Sequence, residues 1–158
     1  MTLSIVSPDF AEGAAMPVRC TCEGADQSPA LVFAGVPTAA KSLALIVDDP
    51  DAPDPAHPKM TWVHWVLYGL PPSCTGLEAG VRHLPPGTHG GLNDWKRTGY
   101  GGPCPPIGRH RYFHRLFALD VVLPDLKSPT KAQLLAAMEG HVLETATLMG
   151  TYEKAERH

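Results

Sequence analysis

The sequence predicts one mainly β domain spanning residues 1–158, with helices at its C-terminal end. Two features of the composition lead to this prediction. The chain contains 17 Pro and 15 Gly, but 44% of its residues are hydrophobic, so it can bury a core and does not have a disordered composition. The Pro and Gly residues then belong in ordered turns, and short apolar runs separated by many turns are typical of an all-β domain.

Four segments have the composition of β-strands. Leu31–Phe33 is a short apolar run, and Ser42–Val47 is almost continuously apolar, which indicates a strand buried on both faces. Thr61–Leu70 and Tyr112–Val122 are rich in β-branched and aromatic residues, which favour strands. These four segments are expected to form the β core.

Two segments between the strands are predicted to be loops. Asp48–Pro55 contains three prolines, which a central strand does not tolerate, so we expect a stiff loop there. Ser73–Arg109 is long and rich in Gly and Pro. A loop of that length without regular structure is uncommon and is usually functional.

The C-terminal segment changes to a helical period. Ser128-Pro129-Thr130 is typical of a helix start, because Pro suits the first turn. Two apolar stripes at helical spacing follow, separated by a break at Gly140. The stripes comprise Leu134, Leu135 and Met138, and then Val142, Leu143, Ala146 and Met149. Both predicted helices are expected to cover the β core.

Charge and cysteine content limit the function classes. The formal net charge of −3 argues against nucleic-acid binding, which requires a basic face. The N-terminus has no basic and apolar signal-peptide pattern, and no apolar run approaches the roughly 20 residues of a membrane span. A cytoplasmic location is therefore expected, with all four cysteines (Cys20, Cys22, Cys74 and Cys104) reduced and structural.

Polar residues suited to a binding site lie where strands meet loops. Residues two apart on a strand share a face, so Trp62 lies with His64 and His110 lies with Tyr112. Asp49 lies where the buried strand enters its proline-rich loop. These side chains suit an anion such as phosphate or a carboxylate, because imidazole and phenol groups both donate hydrogen bonds. Spacing alone does not bring them to a common site.

Other groups can complete this anion site. A carboxylate such as Asp49 accepts from one histidine nitrogen, which turns the other nitrogen toward a ligand. The backbone N–H groups of Gly99–Gly102 can add donors in a nest. Purely structural roles for these residues stay open as well. Asp51 can cap a turn, Arg111 can pair with an acidic loop residue, and His64 can be an ordinary interior histidine.

Three other functions are weighed against anion binding. A hydrolase with a His/Asp-activated water is one, although the sequence has no Gly-x-Ser-x-Gly elbow. An iron or zinc site made of Asp49, His64 and His110 is another. The third is an interaction protein that uses apolar residues of the long loop, part of which can form a homodimer face. Those loop residues are Leu84, Leu92 and Trp95.

Several ordered motifs resemble the phosphatidylethanolamine-binding protein family, in its bacterial Raf-kinase-inhibitor-like branch. The strongest are Asp49-Pro50-Asp51-Ala52-Pro53, Trp62-Val63-His64-Trp65, and Gly99-Tyr100-Gly101-Gly102-Pro103-Cys104-Pro105-Pro106 followed by Gly108-Arg109-His110-Arg111-Tyr112. The resemblance covers nearly the whole chain and implies an antiparallel Greek-key β-sandwich with peripheral helices.

The resemblance also implies a function and a site. It implies a non-enzymatic protein that binds phosphate or a phosphorylated headgroup, without a cofactor, a metal or stable membrane insertion. A regulatory role like that of kinase-inhibitor relatives fits the resemblance, but kinase regulation itself is not transferred from a shared fold. The implied pocket residues are Asp49, His64, His110 and Tyr112, with Asp51 nearby and Pro106 against the pocket. A cis-proline is expected within Pro105-Pro106.

The chain departs from eukaryotic members of this family at the pocket. Val63 stands before His64 where those members often carry a second histidine, and the loop between Pro106 and His110 is short. The segments Asp54–Met60 and Leu84–Asp94 can reshape the pocket mouth.

Overall fold

The structure, a computed structural model, describes residues 2–154 and confirms a mainly β fold with two antiparallel sheets. One sheet has three strands in the order β1-β2-β5, and the other has five in the order β6-β4-β3-β7-β8. The strands are Ser4–Val6 (β1), Leu31–Ala34 (β2), Ser42–Ala52 (β3), Met60–Leu70 (β4), Gly76–Leu77 (β5), His89–Gly90 (β6), His110–Leu119 (β7) and Val142–Tyr152 (β8). Helix α1 covers Lys131–Met138, and a short 3₁₀ turn covers Val18–Cys20.

The main core lies between the two sheets. Alternate residues of β3 point into it, including Leu43, Leu45 and Val47, while Ala44 and Ile46 point to the opposite face. A second apolar cluster on that opposite face is covered by α1 through Leu134 and Met138. β3 is therefore buried on both faces, as its sequence predicts.

The predicted loop at Asp48–Pro55 is wrong in its first half, because β3 continues to Ala52. The proline is tolerated because the ladders are interrupted there. Pairing with β7 ends at Asp48, and pairing with β4 is irregular between Asp49 and Ala52. Pro50 therefore removes no regular hydrogen bond, which is the position in a sheet where proline is accepted.

A β-bulge in β4 places His64. Val47 pairs with Trp65 and the next residue, Asp48, pairs with Val63, so His64 is the extra residue on β4. His64 and Trp65 are both buried on the side of the main core, whereas Val63 belongs to the cluster under α1. Bulges re-aim side chains in this way.

The C-terminal segment contains one α-helix among residues 2–154, not two. Helix α1 begins after Thr130, which forms a capping box with Gln133. The second predicted helix is wrong: Val142–Tyr152 is strand β8, paired antiparallel with the whole of β7. Its buried residues, Leu148, Gly150 and Tyr152, alternate with more exposed ones, which is the period of a strand.

The long segment 73–109 folds over the protein's own core. It contains β5 and β6 and an isolated bridge between Leu92 and Thr98. Leu84 packs against the main core rather than standing exposed. Among residues 2–154 no helix has the length and apolar character needed to cross a bilayer.

The expectation of four reduced cysteines is wrong. Cys22 and Cys104 form a disulfide across 82 residues of sequence, with Cα atoms 5.4 Å apart. Cys20 and Cys74 are free thiols. The pairing depends on how two loops meet in the fold, so the sequence spacing could not reveal it.

Asp48 is fully buried and is held by two cations. Its carboxylate accepts from Arg115 Nε at 3.1 Å and from Lys131 Nζ at 2.6 Å, which ties β3 to β7 and to α1. The side chains of Arg115 and Lys131 keep 36% and 26% exposure, so each cation can also reach water, whereas Asp48 cannot.

Removing both cations is therefore expected to cost more than removing the carboxylate charge. The double variant Arg115→Met/Lys131→Met should lose about 3–5 kcal/mol of unfolding free energy, because it leaves a buried, uncompensated charge. Asp48→Asn should lose clearly less. Urea denaturation of the three proteins measures this, and an Asp48→Asn loss equal to that of the double variant would contradict it.

His114 makes the stability of the fold depend on pH. It is fully buried, its Nδ1 donates to the carbonyls of Tyr112 and Leu148 at 3.2 and 3.3 Å, and its Nε2 has no partner among residues 2–154. Burial lowers the pKa of His114 from 6.5 to about 4. The folded state therefore resists a proton that the unfolded state accepts.

Unfolding free energy should accordingly fall as the pH drops from 6.5 toward 4, by up to roughly 3 kcal/mol from this group. His114→Leu cannot be protonated and should lose less stability over the same range. Chemical denaturation at several pH values tests this, and parallel pH profiles for the two proteins would refute it.

Candidate functional site

A cavity of about 390 Å³ lies where β3, β4 and β7 approach the loop before β7. Five of the six residues named from the sequence line it: Asp49, His64, His110, Tyr112 and Pro106. The remaining lining residues are Ala52, Pro53, Met60, Trp62, Trp95, Cys104 and Pro105. The polar side chains are nearly inaccessible to bulk solvent, and Trp62, Met60 and Trp95 add apolar walls.

Asp49 and His110 form a buried pair on neighbouring strands. His110 Nδ1 donates to Asp49 Oδ2 at 2.5 Å, and Asp49 Oδ1 accepts from the backbone N–H of Asp51 at 2.7 Å. The second nitrogen of His110, Nε2, faces the carbonyl of Ile107 at 2.8 Å. The sequence-based expectation that this nitrogen turns toward a ligand therefore does not match the structure.

His64 presents an acceptor to the cavity. Its Nδ1 donates to the carbonyl of Gly101 at 2.7 Å, and its Nε2 has no hydrogen-bond partner among residues 2–154. Burial lowers the pKa of His64, although the Gly101 carbonyl and Asp49 act in the opposite direction. A neutral ring that donates from Nδ1 carries its lone pair on Nε2.

Tyr112 presents a donor to the same cavity. Burial, and then the negative charge of Asp49, raise the pKa of Tyr112, so its hydroxyl stays protonated. That hydroxyl has no hydrogen-bond partner in the described part of the chain. The Tyr112 ring stands edge-on to His64 at 5.1 Å between centroids, and the Trp95 ring also stands edge-on to His64 at 5.1 Å.

The glycine segment before β7 positions His64 and does not form an open nest of donors. Gly101 makes two hydrogen bonds to His64: the Gly101 carbonyl accepts from the His64 ring, and the Gly101 N–H donates to the His64 carbonyl at 3.0 Å. The N–H of Gly102 donates to Asp26 Oδ1 at 2.8 Å. A Cβ on Gly101 would stand 2.2 Å from the Trp95 ring, so only glycine fits beside that wall.

Asp51 lies beside the cavity and does not line it. Its carboxylate takes two hydrogen bonds from the Arg111 side chain, at 2.9 and 3.0 Å, and one from the Arg111 backbone at 2.9 Å. The Arg111 hydrogen bonds hold the pKa of Asp51 below its usual value. Arg111 thus forms an ion pair, as one of the alternatives left open by the sequence has it, but its partner Asp51 lies on strand β3 and not in a loop.

The cis-proline expected within Pro105-Pro106 lies elsewhere. Among the described residues the cis peptide bond is Ala52–Pro53, which also lines the cavity. Pro106 is a wall residue with a trans bond.

Sequence reasoning missed several wall residues, above all Trp95, which it treated as a surface residue of a loop. Trp95 lies against His64 and against Trp62, at 5.6 Å between ring centroids. Only its aromatic character in a glycine-rich loop hinted at such a role. Strand periodicity carries no information about where a loop folds back.

The side chains expected of a metal site or of a hydrolase nucleophile are not brought together among residues 2–154. No group of three or more His, Cys, Asp or Glu side chains is placed to hold a metal ion. No serine or threonine lines the cavity, and Cys104 is bound in the disulfide. Both ring nitrogens of His110 have protein partners, the carboxylate of Asp49 and the backbone carbonyl of Ile107.

A larger cavity of about 540 Å³ is lined by Trp65, Gly99 and Tyr100, among other residues. Its charged lining residues, Arg82, Asp125 and Lys127, are exposed at the surface. The smaller cavity is the better candidate site, because four buried polar residues line it and two of them present a group without a protein partner in the described chain.

Comparison with known proteins agrees with this architecture. A family model described as phosphatidylethanolamine-binding protein matches residues 6–153. The UPF0098 protein of Chlamydia pneumoniae is 49% identical over 97% of this chain and all of its own length.

Solved structures give the same result. The crystal structure of a phosphatidylethanolamine-binding protein homologue from Chlamydia trachomatis superposes with a TM-score of 0.91 at 44% identity, covering 98% of this chain and 99% of that one. Escherichia coli YbcL, described as a member of the mammalian family, superposes with a TM-score of 0.87 at 29% identity, covering 98% and 100%. The chain therefore belongs to the phosphatidylethanolamine-binding protein family.

Proposed function

We propose that this protein binds a small phosphate-like anion, free or as a phosphorylated headgroup, in the cavity of Asp49, His64, His110 and Tyr112, without turning it over. One observation carries the proposal. His64 Nε2 and the Tyr112 hydroxyl belong to buried side chains that line one cavity, and neither has a hydrogen-bond partner among residues 2–154. Both residues line the same cavity, so a ligand bound there can supply the hydrogen bonds that the protein does not.

The two groups require ligand atoms of opposite hydrogen-bonding character. Tyr112 donates, and neutral His64 accepts. A singly protonated phosphoryl group satisfies both, because it offers an oxygen to Tyr112 and a P–O–H to His64. The Asp49 carboxylate is paired with His110, so it opposes the anion less than a free carboxylate would.

The walls and the family support the same ligand class. Met60, Trp62 and Trp95 can cover the organic part of a phosphate ester. The family to which the chain belongs takes its name from a phospholipid whose headgroup is such an ester. A binding role without turnover fits a cavity that no serine or threonine lines among the described residues. The proposal requires neither a kinase partner nor a homodimer.

Replacing Tyr112 with Phe should weaken inorganic phosphate binding by about tenfold or more, because a hydrogen bond to a charged group contributes roughly 1.5–3 kcal/mol. Isothermal titration calorimetry at constant ionic strength measures this change. Tyr68→Phe is the matched control, because Tyr68 is equally buried but lies in the cluster under α1. The phosphate affinity of this variant should equal that of the wild type. Equal losses in both variants, or none in Tyr112→Phe, would count against the proposal.

The pH dependence of binding should differ between phosphorylethanolamine and sulfate. A phosphate monoester gains its own proton near a pKa of about 6, so its affinity should rise toward pH 6 and then level off. Sulfate has no proton to donate to His64. It can hydrogen-bond to this ring only after His64 itself is protonated, and burial lowers the pKa of His64. The affinity for sulfate should keep rising below pH 6, by up to about tenfold per pH unit for one proton taken up.

Titrations between pH 8 and pH 5 test this difference, with circular dichroism to verify the fold at each pH. Identical profiles for the two anions would show that proton supply to His64 does not govern binding.

A further inference from the structure

The Cys22–Cys104 disulfide forms part of the cavity wall. Cys104 lines the cavity beside Pro105 and Pro106, and both cysteines of the bond are exposed at the surface. A small thiol reagent can therefore reach the bond without unfolding the core. The two loops that the bond joins are 82 residues apart in the sequence.

Among the described residues, hydrogen bonds do not hold this part of the wall. Up to Pro103 the loop is anchored by hydrogen bonds, including Cys22 N–H to the Pro103 carbonyl at 3.1 Å and Gly102 N–H to Asp26. From residue 104 to 106 the main chain makes no hydrogen bond within the described chain, and two of the three residues are prolines, which have no N–H. Two attachments remain for this stretch, the packing of the buried Pro105 and the covalent tether of the disulfide.

The tethered stretch leads directly into the polar floor of the cavity. The carbonyl of Ile107, which follows Pro106, accepts a hydrogen bond from His110 Nε2. His110 Nδ1 in turn donates to Asp49. On the other side, Gly101 orients His64. Release of residues 104–106 would therefore loosen one wall and the acceptor of His110 together.

We propose that Cys22–Cys104 is a reversible redox-modification site that controls the affinity of the cavity for its anion, with the oxidised protein as the tight-binding form. This inference rests on the proposed function. The reactant is a dithiol, small or protein-borne. Reduction leaves a wall that the ligand must order before it binds, and the apparent affinity falls by the fraction of molecules in which the wall is already ordered.

The exchange balances without any other reactant. One thiolate of the dithiol attacks a sulfur of the Cys22–Cys104 bond and forms a mixed disulfide, and the second thiolate displaces the protein sulfur. Two electrons and two protons pass to the cysteine pair, and the dithiol leaves as its own disulfide. Cys20 is a poor competitor in this exchange, because burial raises its pKa to about 11 and keeps it a thiol.

Calorimetric titration of inorganic phosphate into oxidised and dithiothreitol-reduced wild-type protein tests the inference. The Kd should rise by roughly tenfold on reduction, the change expected if about a tenth of the reduced molecules keep an ordered wall, and should recover on reoxidation. Cys22→Ser/Cys104→Ser should behave as the reduced wild type with or without the reductant. Cys74→Ser removes a free thiol that does not line the cavity and should retain the full redox response.

Each other outcome has a distinct meaning. Equal phosphate affinities in the oxidised and reduced states overturn the redox inference and leave the proposed function standing. No phosphate binding in either state overturns both. Loss of the folded circular dichroism spectrum on reduction also overturns the inference, because the bond would then stabilise the whole domain and not one wall.

Discussion

The buried pair of Asp49 and His110 determines how the rest of the cavity is arranged. It joins β3 to β7 at the end of the main core, where both side chains are almost inaccessible to solvent. Removing either partner would leave the other buried without its counterpart, which is strongly destabilising. Because the pair and Ile107 use both nitrogens of His110, the groups left for a ligand are His64 and Tyr112. A local electrostatic constraint thus decides which residues of the site are available.

Much of the fold could be predicted because strand patterns are local. β3, β4 and β7 were predicted from apolar and β-branched runs. The shared face of Trp62 and His64, and that of His110 and Tyr112, followed from period two. β8 was missed because its apolar residues also fit a helical spacing, and only pairing with β7 decides between them. Proline at residue 50 suggested a loop, since the interruption of both ladders that accommodates it depends on neighbouring strands.

The site was predictable only in part. Asp49, His64, His110 and Tyr112 came from strand ends, but their placement in one cavity was implied by the family resemblance and not by spacing. The bulge at His64 depends on register with β3, and Trp95 depends on where a long loop folds back. The disulfide depends on the meeting of two distant loops. Contacts of this kind depend on tertiary structure, so the local pattern of a single sequence does not predict them.

The central claim is that an anion occupies the space between His64 Nε2 and the Tyr112 hydroxyl. A crystal structure of the oxidised protein grown near pH 6 with phosphate tests it most directly. The account predicts tetrahedral density within hydrogen-bonding distance, about 2.6–3.2 Å, of both atoms. Water alone in this cavity, with phosphate bound elsewhere or nowhere, would contradict it.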